Sequence, residues 1–316
     1  MKKVLVVYYS QTGQMTSVVD SICQAIQSEG IDVSRECLRP KRPYPFPWPF
    51  FRFLDVFPES VYLDPPELMP PTFDARADFD VVIIAYQVWY LSPSLPMTAF
   101  IKSPAGRQLL AGRPVITVIA CRNMWLMAQE KMKQMLRDVG AKLLDNVALV
   151  DAQPALVTFL TTPRWLLTGN KGTPGGLLPP AGVSQSDVYK AARFGSAIAA
   201  ALHNDSEKLG QPLLRGLAAV KVDTRLIASE KIGHRSFMIW GKLLRKIGPP
   251  GTPLRYLCLA IYAVFLVTMI ITVVPLTMAL KFLLKPLLTP SLERQRDYFE
   301  APSGSARDRM RDFSHD

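Results

Sequence analysis

Val4-Leu5-Val6-Val7-Tyr8-Tyr9-Ser10-Gln11-Thr12-Gly13-Gln14-Met15-Thr16 reads as a buried strand running into a hydroxyl-rich turn. The residues beyond it, Met15, Val18, Val19, Ile22 and Ile26, fall on the three-and-four spacing of one helical face. Strand, turn and helix together form a phosphate seat, because backbone N–H groups and hydroxyls converge at the positive end of the helix. The G-x-G-x-x-G of dinucleotide folds and the G-K-[ST] of nucleoside triphosphatases are both missing. A hydroxyl-x-Thr-Gly turn without lysine suits one phosphate and no metal, which points to flavin mononucleotide (FMN). The alternative is a turn that only caps its helix.

The same alternation recurs downstream. Ile31 to Leu38 reads as a second strand, Phe79-Asp80-Val81-Val82-Ile83-Ile84-Ala85 as a third, Pro114 to Ala120 as a fourth and Leu143 to Val150 as a fifth. A helix is expected from Leu126 to Val139, stopped by Gly140, and a closing helix from about Ser186 to Leu202, with Ser184-x-x-Asp187 as its cap. Thr161 to Gly182, with five Gly and four Pro, reads as a loop insertion. Strands alternating with helices imply an α/β fold with a doubly wound five-stranded parallel sheet over residues 1–205, binding its ligand at the carboxyl ends of the strands.

Three turns then meet at one edge. The first supplies Ser10, Gln11, Thr12, Gly13, Gln14, Met15 and Thr16 as candidate phosphate-binding residues. The second supplies Gln87, Val88, Trp89, Tyr90, Leu91 and Ser92, and the third Cys121, Arg122, Asn123 and Trp125. Trp89, Tyr90 and Trp125 are planar groups suited to stacking on an isoalloxazine ring, although each alone fits core or rim packing equally well. Residues 39–73 interrupt the pattern with ten prolines, and eight aromatics lie between Tyr44 and Tyr62. A run such as Pro43-Tyr44-Pro45-Phe46-Pro47-Trp48 excludes helix interior and central strand. So many large aromatics need a cover, and the insertion reads as an ordered lid or docking loop.

Ser10-x-Thr12-Gly13 resembles the phosphate turn of flavodoxin-like proteins, with Met15 where a further Thr usually stands and Thr16 next to it. Val88-Trp89 with Ser92-Pro93, Pro96 and Phe100 is similar to the ring-binding loop of flavodoxin-like NAD(P)H oxidoreductases. A closer resemblance joins Tyr8 to Gln14, the Pro43–Trp48 stretch, Phe57-Pro58-Glu59-Ser60-Val61, and Ser229-Glu230-Lys231-Ile232 followed by Ser236-Phe237 and Trp240. Together they look like the dialkylresorcinol condensing enzymes of polyene-pigment biosynthesis. That resemblance implies aromatisation of a 2,5-dialkylcyclohexane-1,3-dione, with FMN as cofactor, NAD(P)H as a candidate electron donor and a ketosynthase as a candidate partner.

Composition places the charge. Residues 1–205 carry 20 Lys+Arg against 17 Asp+Glu, whereas residues 206–316 carry 17 against 9. Within 206–255 the balance is ten against three, and Thr224 to Ile247 reads as a basic amphipathic juxtamembrane helix. No nucleic-acid motif accompanies it, and nucleic acid is not an expected partner. Tyr256 to Leu280 is 25 residues without a charge, long enough to span a bilayer or insert into it, with Pro275 inside the run. The sheet leaves no evident core for this segment, so membrane lipid is the expected partner. Residues 281–316 read as a polar tail, flexible at its end.

Cys23, Cys37, Cys121 and Cys258 form no C-x-x-C pair, and His203, His234 and His315 lie late in the chain. No metal site is expected, and thiol usage fits a reducing compartment. The apolar start after Lys2 and Lys3 is too short for a signal peptide. The expected location is the cytoplasmic membrane, flavin domain facing the cytoplasm, with a span favoured over a re-entrant segment. A membrane-anchored FMN oxidoreductase acting on a hydrophobic small molecule is the leading reading. A tethered electron carrier and a flavin-less scaffold for a ketosynthase are the alternatives. Candidate catalytic residues are Arg122, to hold an enolate, and Tyr86 and Tyr90, with Glu59 and Glu130 as further candidate bases.

Overall fold

The computed structural model describes residues 1–172, 176, 178–283 and 285–313, without the side chains of 156, 273–275, 277–283 and 285–288. β1 (Lys3–Tyr8) leads through the hydroxyl turn into α1 (Gln14–Ser28) and β2 (Asp32–Cys37). The proline-aromatic insertion folds into two short helices, α2 (Phe50–Asp55) and α3 (Phe57–Val61). Next come β3 (Val81–Tyr86), a two-residue hairpin of β4 (Val88–Trp89) and β5 (Ser92–Pro93), α4 (Leu95–Lys102) and α5 (Pro104–Leu110). β6 (Pro114–Cys121), α6 (Leu126–Asp138) and β7 (Lys142–Val150) complete the sheet. The chain continues through α7 (Ala155–Thr168), α8 (Gln185–Lys190), α9 (Ala192–His203), α10 (Thr224–Ile247), α11 (Pro253–Leu283) and α12 (Lys285–Glu300).

The five main strands pair in parallel in the order β2-β1-β3-β6-β7. This is the flavodoxin-like order, and the chain reverses direction across the sheet between β1 and β3, where such sheets open a crevice at their carboxyl edge. Alternation along the strands separates two cores. Val4 and Val6 of β1 and Ile83 of β3 meet Met15, Val18, Ile22, Phe194 and Ile198 of α1 and α9. Leu5, Val7, Val82 and Ile84 face the layer built by Met97, Phe100, Leu110, Met132 and Leu136 of α4, α5 and α6. α1 and α9 approach so closely that a Cβ at Gly195 would run into the carbonyl of Ile22. Ser184 caps α8 by accepting from Asp187 N, as expected, and Ala191 divides the closing helix into α8 and α9.

Three expectations are corrected. Residues 155–168 form α7, with Pro163 inside it, where Thr161 onward reads as loop; the rest of that stretch includes 173–175 and 177, outside the described residues. The tail does find a core of its own. Leu54, Phe57 and Val61 of the insertion close over Leu244 of α10 and Leu259 and Tyr262 of α11. The segment after α12 is docked on the sheet domain rather than free. Ser303 Oγ donates to Asp145 Oδ1 of β7 at 2.7 Å and accepts from Asn146 N at 2.8 Å. Ala218 N donates to Ala306 O at 2.7 Å, and Arg309 N to Gly216 O at 3.0 Å. Residues 314–316 and Pro275's side chain lie outside the described residues. By length and composition, Pro253–Thr272 within α11 is apolar enough to cross a membrane, with mean hydropathy 2.2 and 17% of it buried.

Candidate functional site at the carboxyl edge of the sheet

The first turn keeps an open helix end. Gly13 precedes α1 in the left-handed region at φ 83°, with no side chain of its own to cap the helix and nothing within 4 Å of the place its Cβ would occupy. The first-turn N–H groups have no partner inside the helix, and they sit at its positive end. Ser10 Oγ accepts from Thr16 N at 3.1 Å, which folds the turn back over α1. Gln11 Nε2 donates to Pro45 O at 2.8 Å and Gln14 Nε2 to Val183 O at 3.3 Å, so the insertion and the 183 segment flank the turn. Thr12 is partly exposed. The Met15 side chain is fully buried in the core between α1 and the sheet, which leaves its backbone N–H as the group it offers on this turn.

The second turn is used mainly for packing. Trp89 meets the rings of Tyr9, Tyr44 and Trp48 edge-on at 5.9, 4.9 and 5.8 Å. Tyr90, at φ 49°, donates its hydroxyl to Phe53 O and lies among Phe53, Phe57 and Phe237. Tyr86 is fully buried, and its hydroxyl donates to Gln129 Oε1 at 2.6 Å. Burial pushes both tyrosine hydroxyls well above their usual range. The rings of Trp89 and Tyr90 therefore serve the insertion, and Tyr86 and Tyr90 are packing groups rather than the expected proton-transfer groups. Val88 is partly buried against the second core, Leu91 is buried, and Ser92 Oγ accepts from Lys131 Nζ at 2.8 Å.

On the third turn, Trp125 is buried in the second core, which corrects its expected role as a stacking platform. Cys121 Sγ lies 3.7 Å from Asn123 O, and burial raises its thiol pKa. The Arg122 guanidinium lies over the Phe159 ring of α7 at 4.0 Å, and burial lowers its pKa to about 10. Asp151, just after β7, ties this turn to the loop before α8: its N–H donates to Cys121 O at 3.1 Å and its Oδ2 accepts from Gly182 N at 2.8 Å.

α7 lies above these turns as a roof. Trp165 meets Phe46 edge-on at 6.3 Å, and Trp48 N donates to Leu166 O at 2.8 Å, joining roof to insertion. Four buried polar atoms on the turns and helix at this edge have no partner: Gln87 Oε1, Asn123 Oδ1, Thr161 Oγ1 and Thr162 Oγ1. Gln87 follows β3, Asn123 follows β6, and the two threonines belong to α7, so all four stand on elements at the carboxyl edge. Native proteins rarely leave such atoms unsatisfied, because each costs about 1–3 kcal/mol. With the open end of α1, they fit a ligand that carries a phosphate at one end and several polar ring atoms at the other. Among the described residues, no group of three or more His, Cys, Asp or Glu could hold a metal.

Sequence reasoning missed the polar groups that α6 and α10 bring behind the second and third turns. Glu230 is fully buried on α10, and its Oε1 accepts from Met127 N, at the start of α6, at 2.7 Å. Burial raises its pKa to about 8, against the lowering effect of the Met127 and Leu126 N–H groups. Lys131 of α6 donates to Val61 O at 2.7 Å, and burial lowers its pKa to about 8. His234, whose pKa is lowered by burial and by the Lys131 charge, leaves Nε2 without a partner. Glu230 is the only acidic residue between Thr224 and Ile247, a signal available in the sequence. The carboxylates expected as bases are engaged elsewhere: Glu59 with Arg255, and Glu130 with Lys133 and with the Tyr298 hydroxyl at 2.7 Å.

No family model matches the chain, and no curated protein matches it. Among solved structures, a flavoprotein in complex with FMN from Lactobacillus acidophilus NCFM is similar at 16% identity, covering 47% of this chain and 93% of that one, with a TM-score of 0.39. A putative flavoprotein from Bacteroides eggerthii DSM 20697 is similar at 20% identity, covering 47% and 89%, with a TM-score of 0.38. A flavodoxin from the domain Archaea is similar at 13% identity, covering 64% and 99%, with a TM-score of 0.33. These likenesses are weak, and the fold assignment rests on the strand order.

Proposed function

We propose that this chain is a membrane-anchored, FMN-dependent oxidoreductase that aromatises a dialkylcyclohexanedione to a dialkylresorcinol. The observation that carries the flavin reading is the set of unpartnered buried atoms on Gln87, Asn123, Thr161 and Thr162, on the same sheet edge as the start of α1, where Gly13 offers no side-chain cap. Ser10, Thr12 and the N–H groups after Gly13 would hold the phosphate, and Gln87, Asn123 and the α7 threonines would meet polar ring atoms. Bound FMN supplies two-electron redox chemistry at its ring.

The conversion would remove one hydride and one ring proton from the dione, and FMN held by the first turn would supply the hydride acceptor. Electrons must then leave through an acceptor, so NAD(P)H suits only the reductive direction. Arg122, held over Phe159 near the third turn, supports the enolate of an acidic dione. The net charge of +11 and the proline-aromatic insertion beside the site disfavour the simple carrier reading, because a compact acidic surface suits docking on basic partners. The apolar helix and the aromatic insertion give an alkylated substrate a lipid-side approach. Anaerobic protein loaded with FMN and mixed with a 2,5-dialkylcyclohexane-1,3-dione should bleach within a single turnover. Loaded protein that stays oxidised in the presence of such diones would refute the substrate class.

A further inference from the structure

The path of the tail limits how it can meet a membrane. α11 is rooted in the protein by one face: Arg255 is fully buried between Asp55 and Glu59, and Leu259 and Tyr262 sit in the third core, while Leu254, Leu257 and Ile261 are exposed. Farther along, Val264, Val267, Ile271 and Leu276 are exposed. From the last turn of α12 onward the chain is again inside the protein. Phe299 is buried in the second core, Glu300 Oε1 accepts from Val222 N at 3.3 Å, and Ser303 bonds Asp145 and Asn146 on β7. Both ends of the apolar excursion are thus fixed to the same folded domain.

A single crossing of the bilayer would place those two ends on opposite faces, which this docking forbids. Two crossings would require α12 to return through the hydrocarbon. Its 16 residues, KPLLTPSLERQRDYFE, include Lys285, Glu293, Arg294, Arg296 and Asp297. At 1.5 Å per residue such a helix reaches about 24 Å, short of a hydrocarbon core of about 30 Å, and its charges are costly there. From Val267 to Leu283, by contrast, α11 runs on for about 25 Å with no charge before Lys281; Lys281 and Lys285 belong at headgroup level, so the helix lies along the leaflet rather than plunging through it.

The surface beside the root matches an anionic leaflet. Lys242 and Lys246 of α10 are exposed next to exposed Ile239 and Leu243, the mixture found on helices lying at a lipid surface. Phe50 and Phe51 of α2 are exposed as well, and Phe51 meets Tyr256 of α11 at 5.4 Å, at the level where aromatic side chains favour the headgroup boundary. We infer that α11 and α12 form a hairpin in one anionic leaflet, with α11 lying along the leaflet, exposed Leu257, Ile261, Val264, Val267 and Ile271 in lipid, and α12 returning at headgroup level, so that the sheet domain and residues 297–313 stay on one face. This rests on the membrane reading above and replaces the span favoured by the sequence.

The test uses the full chain, tagged at both ends, on phosphatidylcholine vesicles with and without phosphatidylglycerol. The protein should float with the anionic vesicles, resist release by high salt, and lose both tags to protease added outside. An amino-terminal tag cut while the carboxyl tag is protected would overturn the hairpin and leave the membrane reading standing. Protein that fails to float, or that salt releases, would overturn both; if it elutes as a dimer, a second copy of the chain covers α11. The exposed-site variants Val267→Lys and Ile271→Lys should lower vesicle partition about tenfold or more without changing the fold. Unchanged partition would show that α11 does not enter lipid.

Discussion

Arg255 and Glu59, 196 residues apart, form a two-pronged ion pair: Nη1 to Oε1 at 3.0 Å and Nη2 to Oε2 at 2.6 Å. Arg255 Nε also donates to Asp55 Oδ1 at 2.6 Å. Removing the arginine alone would leave two carboxylates in a water-poor site. Arg255→Met should therefore cost roughly 3–5 kcal/mol and open the insertion to protease, whereas Arg255→Met with Asp55→Asn and Glu59→Gln should recover most of the loss. Denaturant titration in detergent with limited proteolysis measures both. A neutral Arg255→Met would mean that α11 does not hold the insertion.

The unpartnered atoms make an unusual prediction for the free and loaded protein. Gln87→Met and Asn123→Leu remove buried groups that lack partners, so the flavin-free protein should be as stable as the parent or more stable, by up to about 1 kcal/mol. The same changes should weaken FMN binding about tenfold. Thermal unfolding with and without FMN separates the two effects. Loss of stability without loss of flavin affinity would assign these side chains to packing.

Thr12→Val tests the phosphate seat. A charge-assisted hydrogen bond of about 1.5–3 kcal/mol predicts FMN binding weaker by about 10- to 100-fold. Riboflavin, which lacks the phosphate, should bind parent and variant alike. Equal losses for both flavins would move the phosphate away from the first turn.

Glu230 gives the protein a pH dependence of stability. Its carboxyl is held protonated in the fold with a pKa of about 8, and ionises in the ordinary carboxylate range once unfolded. The unfolded chain therefore gives up the proton first, and the folded state loses relative stability as pH rises from the carboxylate range towards about 8. Glu230→Gln should match the parent near about pH 5 and exceed it by roughly 1–2 kcal/mol near about pH 8, after local relaxation. Parallel melting curves across that range would place an ionised carboxylate at Glu230 in the fold.

The sheet could be read from the chain because its evidence is local. Val4–Val7, Val81–Ala85 and Val115–Ala120 are apolar runs that can only be buried, and the turns after them follow. α10 spans the range its periodicity indicated, Thr224–Ile247. The docking of residues 297–313 was not legible, because it depends on polar pairs such as Ser303 with Asp145, 158 residues apart. The roles of Trp89 and Tyr90 were hidden for a related reason. An aromatic ring in a strand-end turn can face a ligand or a neighbour. Here Tyr44, Trp48, Phe53 and Phe237, from distant segments, take the contact. Glu230 likewise meets Met127 N, and His234 feels the Lys131 charge, only when α10 lies against α6.

FMN at the carboxyl edge of this sheet can be measured directly. Full-length protein incubated with excess FMN and freed of unbound flavin by gel filtration should emerge yellow, with about one FMN per chain and an absorbance that bleaches on reduction. A colourless protein that retains no flavin after this treatment would contradict the account.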